Sequence, residues 1–169
     1  MTDPANKRAK RTRAKREDAT KDAAWERLRS LIVEHISRVG WSVLHVAAGS
    51  SEKSTSLCYT IGLTEKGLPE LVVLGLDQSS AHWVMNEVAA LAVAGESITP
   101  GRVIVIDAGH FALRVRAFPG AKKRLLAAAR YYGGVAARRI TARQLVWAVD
   151  GAFPGEPGYP YEAHVQTAG

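Results

Sequence analysis

A single cysteine, Cys58, in 169 residues excludes an intramolecular disulfide framework and fits a reducing compartment. No apolar run approaches the roughly 18 residues that a membrane span needs. The basic N-terminus is not followed by an apolar stretch, so a secretory leader is not expected. Aromatic residues are sparse, at 7% of the chain, and no internal repeat is present. Acidic residues are missing altogether between positions 108 and 149, a stretch that carries nine Lys and Arg. What is present is a chain that is 47% hydrophobic, enough for one domain with a sizeable core. The expectation is a cytoplasmic protein outside the membrane.

The net charge of +7 is unevenly spread. Residues 1–16 hold seven basic side chains and one acidic. Residues 17–107 hold seven basic and twelve acidic, and the tail from Asp150 adds three acids. Residues 1–19, rich in Lys, Arg and Ala with little to bury, read as a disordered basic arm. The domain proper is expected over 20–161, with 162–169 as a tail.

Along the chain, Trp25, Leu28, Ile32, Ile36 and Val39 recur at helical spacing, which predicts an amphipathic helix over 20–39 that stops at Gly40. Strands are expected over 41–47, 57–61 and 70–74, the last apolar enough to be buried on both faces. Asp77 is placed to cap a second helix, with Ala81, Val84, Met85, Val88, Ala89 and Ala92 as its buried stripe. A strand pair over 102–106 and 111–118 turns at residues 107–110. Pro119 opens a third helix reaching Tyr132, and a last strand spans 144–149. Strands and helices do not alternate strictly, so a doubly wound parallel sheet is not expected. The reading is α+β: about six mostly antiparallel strands, with three helices packed chiefly on one face.

Several polar residues stand where the pattern is otherwise that of a core. Tyr59, Thr60 and Glu70 sit within apolar strands, where polar groups need partners or a purpose. One reading makes Glu70 and Asp150 a general acid and base, with Tyr59 and Thr60 orienting a small substrate. The other ties Glu70 to backbone N–H groups near the turn from Gly62 to Gly67, and uses Asp150 to start a turn with Gly151. No Gly-x-Ser-x-Gly elbow is present. His35, His45, His82, His110 and His164 form no metal-ligand spacing, so neither a metal nor a cofactor is expected. Residues 47–54 contain Lys53-Ser54 but lack the glycines of a phosphate-binding loop, and a strand rather than a helix follows.

The motifs Tyr59-Thr60-Ile61-Gly62-Leu63, Leu68-Pro69-Glu70-Leu71, Gly75-Leu76, Asp150-Gly151-Ala152-Phe153-Pro154 and Gly158-Tyr159 together resemble one bacterial family. It is the domain of unknown function 4262, and the likeness covers about residues 39–161. The resemblance implies a small α+β protein with no known cofactor, and it implies that the two polar motifs belong together. Two positions depart from the family pattern: Val149 stands directly before Asp150 in place of Trp-Pro, and Gly155 follows Phe153-Pro154 in place of Trp.

The acid-free stretch supplies the other candidate. Alternation along 111–118 puts Arg114 and Arg116 on one side of a strand, and Lys122, Lys123 and Arg124 follow directly. These five are expected to form an anion-binding face, extended by Arg130, Arg138, Arg139 and Arg143, with Tyr131 or Tyr132 as a stacking surface. The competing reading pairs them with acids from 17–107. The leading functional expectation is a binding protein rather than an enzyme, engaging nucleic acid or an acidic protein surface. No helix-turn-helix, zinc-finger or RNP signature supports sequence-specific recognition. The sequence leaves the oligomeric state open.

Overall fold

The computed structural model describes residues 4–51 and 54–166. Residues 1–3 of the arm, Glu52 and Lys53 of the rejected phosphate loop, residues 167–169 of the tail and the side chains of residues 4–9, 11, 12, 14, 163 and 164 lie outside that description.

Helix α1 spans Pro4–Val39. It therefore begins well before the expected start at residue 20, and the arm read as disordered is helical from Pro4. Ala, Lys and Arg are good helix formers, and Arg13 pairs with Glu17 one turn on, at 2.8 Å. Residues 15–24 are exposed all round. Among the described side chains, only those of the second half of α1 pack: Ile32 is buried, Leu28 and Ile36 lie against it, and Val39 stays in solvent.

Six strands follow: β1 Ser42–Val46, β2 Leu57–Ile61, β3 Glu70–Leu74, β4 Val103–Ile106, β5 Phe111–Ala117 and β6 Ala142–Trp147. They form one sheet in the order β1-β2-β3-β6-β5-β4. Every neighbouring pair is antiparallel except β3 and β6, which run parallel with Glu70 opposite Ala142. The sheet is thus two antiparallel three-stranded halves joined along one parallel seam.

Helices cover both faces, not chiefly one. Leu71 and Val73 of β3 pack with Val84, Met85 and Val88 of α2 (Gln78–Val93), while Val72 packs on the other side with Ile32 and Leu125. This explains why all five residues of β3 are buried. Asp77 caps α2 by accepting from the backbone N–H of Ser79 and Ser80, and the whole expected stripe of α2 is buried.

The expected single helix after Pro119 is broken in two, α3 Ala121–Arg124 and α4 Leu126–Tyr132. Leu125 between them leaves helical geometry at φ −91°, ψ 69°. Its side chain is fully buried, so packing outweighs helix continuity here. β6 starts two residues earlier than expected, because Phe118 N–H bonds Ala142 O at 3.3 Å and Glu70 N–H bonds Thr141 O at 2.9 Å.

The C-terminal segment closes the far end of the parallel seam. The short 3₁₀ turn Ala163–Gln166 docks there. The Gln166 side-chain amide accepts from Trp147 N–H at 2.8 Å and donates to Trp147 O at 2.8 Å. One side chain thereby occupies the place of a neighbouring strand residue.

Candidate functional site

The first candidate centres on Glu70, which is completely buried at the start of β3. Regular pairing of β2 with β3 stops at Tyr59 and Val72. Beyond it the Thr60 hydroxyl takes over, accepting from Leu71 N–H at 2.8 Å and donating to Glu70 at 2.7 Å. Glu70 also accepts from the Thr64 N–H at 2.9 Å, the Thr64 hydroxyl at 2.8 Å and the Gly62 N–H at 3.3 Å. The Tyr132 hydroxyl donates to the same carboxylate in a very short hydrogen bond, and itself accepts from Gly62 N–H at 2.6 Å. Burial, reinforced by the negative charge of Glu70, pushes the Tyr132 phenol well above its ordinary range.

Such a carboxylate has its lone pairs filled by the protein. It bonds the turn from Gly62 onward to both β2 and α4, as the structural reading of Glu70 expects. Tyr59 is not part of this set: its ring packs with the α1 and α4 layer, and its hydroxyl accepts from Ala127 N–H at 3.2 Å. Burial raises the Tyr59 phenol from 10.0 to about 12. Asp150 is exposed beyond the opposite end of β6. With Gly151 it makes a two-residue turn, at φ 47° and 82°, between the bridged residues Val149 and Ala152. Glu70 and Asp150 therefore lie at opposite ends of β6 and share no cleft.

Tyr132 and Thr64 are the partners that sequence reasoning missed. Tyr132 is expected from sequence at a stacking surface, but its hydroxyl is committed to Glu70. Tyr131 packs edge-on against it, with ring centroids 5.2 Å apart. Cys58 is buried, and burial raises its thiol from 9.0 to about 12, which suits an inert side chain. Among the described residues, no group of three or more His, Cys, Asp or Glu gathers as a metal-ligand set. Among them, too, no helix is long and apolar enough to cross a membrane.

The second candidate is the basic face. Arg114 does not stand free: it pairs with Glu156 at 2.8 Å and stacks over Phe153, 3.9 Å from the ring centroid. The motif from Asp150 to Pro154 thus seats Phe153 under a strand arginine. Arg130 pairs with Asp22 of α1 at 3.1 Å and lies over Trp25. Among the described residues, the other seven cations of 108–149 form no ion pair. Arg116, Lys122, Lys123, Arg138 and Arg139 are exposed, and Arg124 and Arg143 are half-buried. Arg124 lies over the Phe118 ring.

All seven of these cations lie in, or within three residues along the chain of, the two segments that line a single groove. It runs between residues 117–121, where β5 turns into α3, and residues 140–143, where the chain enters β6, with a volume of about 280 Å³. Lys122, Lys123 and Arg124 follow the first wall directly in the chain. Arg138 and Arg139, in the 3₁₀ turn Ala136–Arg139, directly precede the second, and Arg143 is part of the lining. Arg116 emerges from β5 nearby, on the face opposite Val115.

A family model described as Domain of unknown function (DUF4262) matches residues 35–160. No curated protein and no solved structure matches the chain.

Proposed function

The chain belongs to the Domain of unknown function (DUF4262) family, and on that premise we propose that it is a polyanion-binding protein whose docking face is the basic groove. The observation that carries this reading is the unneutralised charge. Seven of the nine cations in 108–149 lack an ion-pair partner among the described residues, although the acids of 17–107 outnumber their local bases. Exposed like charges repel, and a chain gains little stability by gathering them. An anionic partner gives the cluster a purpose. The N-terminal arm carries seven further cations in residues 1–16 and would add salt-dependent attraction. The partner class is nucleic acid or an acidic protein surface, read without sequence specificity.

The test is a salt titration of binding to short single- and double-stranded DNA and RNA, with poly-glutamate as the acidic-protein arm. Affinity should fall linearly with salt on logarithmic axes. The variant Lys122→Ala/Lys123→Ala/Arg124→Ala should flatten that slope by about one unit for each phosphate it no longer neutralises. Removing residues 1–16 should weaken binding without abolishing it. Binding that ignores the triple variant, or that vanishes with the arm alone, would remove the folded groove from this function.

A further inference from the structure

We propose that the groove between residues 117–121 and 140–143 seats a phosphate monoester on the side edge of the Arg143 guanidinium. The idea rests on the polyanion reading and narrows it to a terminal phosphate. Arg143 is the only charged residue in the lining. Its Nη1 donates to Ala142 O at 3.2 Å. Its Nε is buried and has no hydrogen-bond partner among the described residues, and its Nη2 has none there either. The guanidinium is planar, and Nε–H and the outer N–H of Nη2 lie side by side on one edge. The Nε is closed to solvent as the side chain stands, and a small turn of the guanidinium toward the groove would offer two parallel donors to two oxygens of one anion. Buried donors are rarely left without a partner in folded proteins, so an orphan of this kind needs an explanation.

The surroundings select the anion. Lys122, Lys123, Arg138 and Arg139 are exposed within two residues of the lining segments, and this concentration of positive charge favours a dianionic phosphate over a carboxylate. Ala117, Gly120, Ala121 and Ala142 keep the lining open, and Phe118, Pro119 and Ile140 make it apolar. A phosphate alone leaves much of the 280 Å³ unfilled. The remaining space suits the sugar and base of a nucleotide, free or at the end of a strand.

The probes are inorganic phosphate, a nucleoside 5′-monophosphate, and a short single-stranded oligonucleotide with a 5′-phosphate or a 5′-hydroxyl end, titrated against the full chain by calorimetry. The 5′-phosphorylated oligonucleotide should bind more tightly than its 5′-hydroxyl twin. Arg143→Lys keeps the charge but loses the fork. It should erase roughly 10- to 100-fold of that preference, the worth of one charge-assisted hydrogen bond, while the thermal transition stays in place. Ala117→Leu, at an exposed lining position, should block the nucleotide without removing a charge, which keeps the proposal testable if Arg143 variants fold poorly. If the monophosphate binds and the free strand end adds nothing, the phosphate seat stands and its ligand is a free nucleotide. Equal binding of both oligonucleotides, unaffected by Arg143→Lys but weakened by the Lys122/Lys123/Arg124 variant, would overturn the proposal and leave polyanion binding standing. Binding of the monophosphate with no oligonucleotide binding at low salt would do the reverse.

Discussion

At the scale of single residues, Glu70 carries the most concentrated chemistry in the molecule, and that chemistry is structural. Five donor groups converge on its two oxygens. Glu70→Gln keeps the shape but turns an NH₂ group toward donors, so it should cost about 2–4 kcal/mol in urea unfolding. A loss below about 1 kcal/mol would show that the turn does not depend on the carboxylate. The neighbouring phenols set an alkaline limit. Cys58 and Tyr59 are held up at about 12, and Tyr132 is raised as well. Raised acids keep their protons in the folded state while the unfolded chain loses them, so this stability is fully present below the ordinary values of 9.0 and 10.0. It should drain away as pH climbs through the folded values. Tyr132→Phe should flatten the alkaline limb of a stability–pH curve without altering its neutral plateau in the same proportion. Glu70 and Thr60 were legible as anomalies because polar residues interrupted apolar strands. Tyr132 was not, since a partner 62 positions away leaves no trace in local pattern.

At the scale of elements, periodicity served well wherever burial followed a single face. The stripe of α2 was readable for that reason, and β2 and β3 were readable as short apolar runs because both of their faces are buried. It failed where packing overrode local preference: Leu125 breaks a helix to reach the core, and the basic arm is helical because nothing in residues 5–39 stops a helix. The seam's closing segment was also illegible, because it works through a side chain imitating backbone. Gln166→Leu should leave Trp147 N–H and C=O unpaired and cost about 2–3 kcal/mol. Gly75 offers an independent check on the same docking. It sits at φ +76°, and a Cβ there would meet Val165 O at 2.6 Å. Gly75→Ala should release the segment, read as faster proteolysis after residue 150 while the sheet's circular dichroism persists. Equal cleavage rates would mean that the docking contributes little.

At the scale of the whole molecule, the charge blocks read from sequence become a spatial asymmetry. Cations gather where β5 ends and β6 begins, while Glu156 and Asp22 neutralise only Arg114 and Arg130. The sequence showed that the cations were numerous. It did not show that seven would fall in or next to the segments lining one groove, because residues 117–124 and 138–143 meet through the pairing of β5 with β6 and the packing of Phe118 and Ala121 with Ile140 and Ala142. Crowded like charges also destabilise the fold that carries them. A short polyphosphate should therefore raise the melting temperature more than sodium chloride of equal ionic strength does. Identical shifts would mean that the cluster responds only to bulk screening.

The parallel seam has a kinetic meaning. Four of the five strand pairings join strands that follow one another closely or through the short helices α3 and α4. The seam alone must bring together distant parts of the chain, as when Trp147 Nε1 reaches Leu74 O across 73 positions. Loop closure of that length is entropically the slowest step available. The two halves should acquire hydrogen-exchange protection first, and β3 with β6 last. Residues 117–124 and 138–143 belong to one half, so an anion-binding surface can be in place before the molecule has finished folding, and a bound polyanion could hasten its completion.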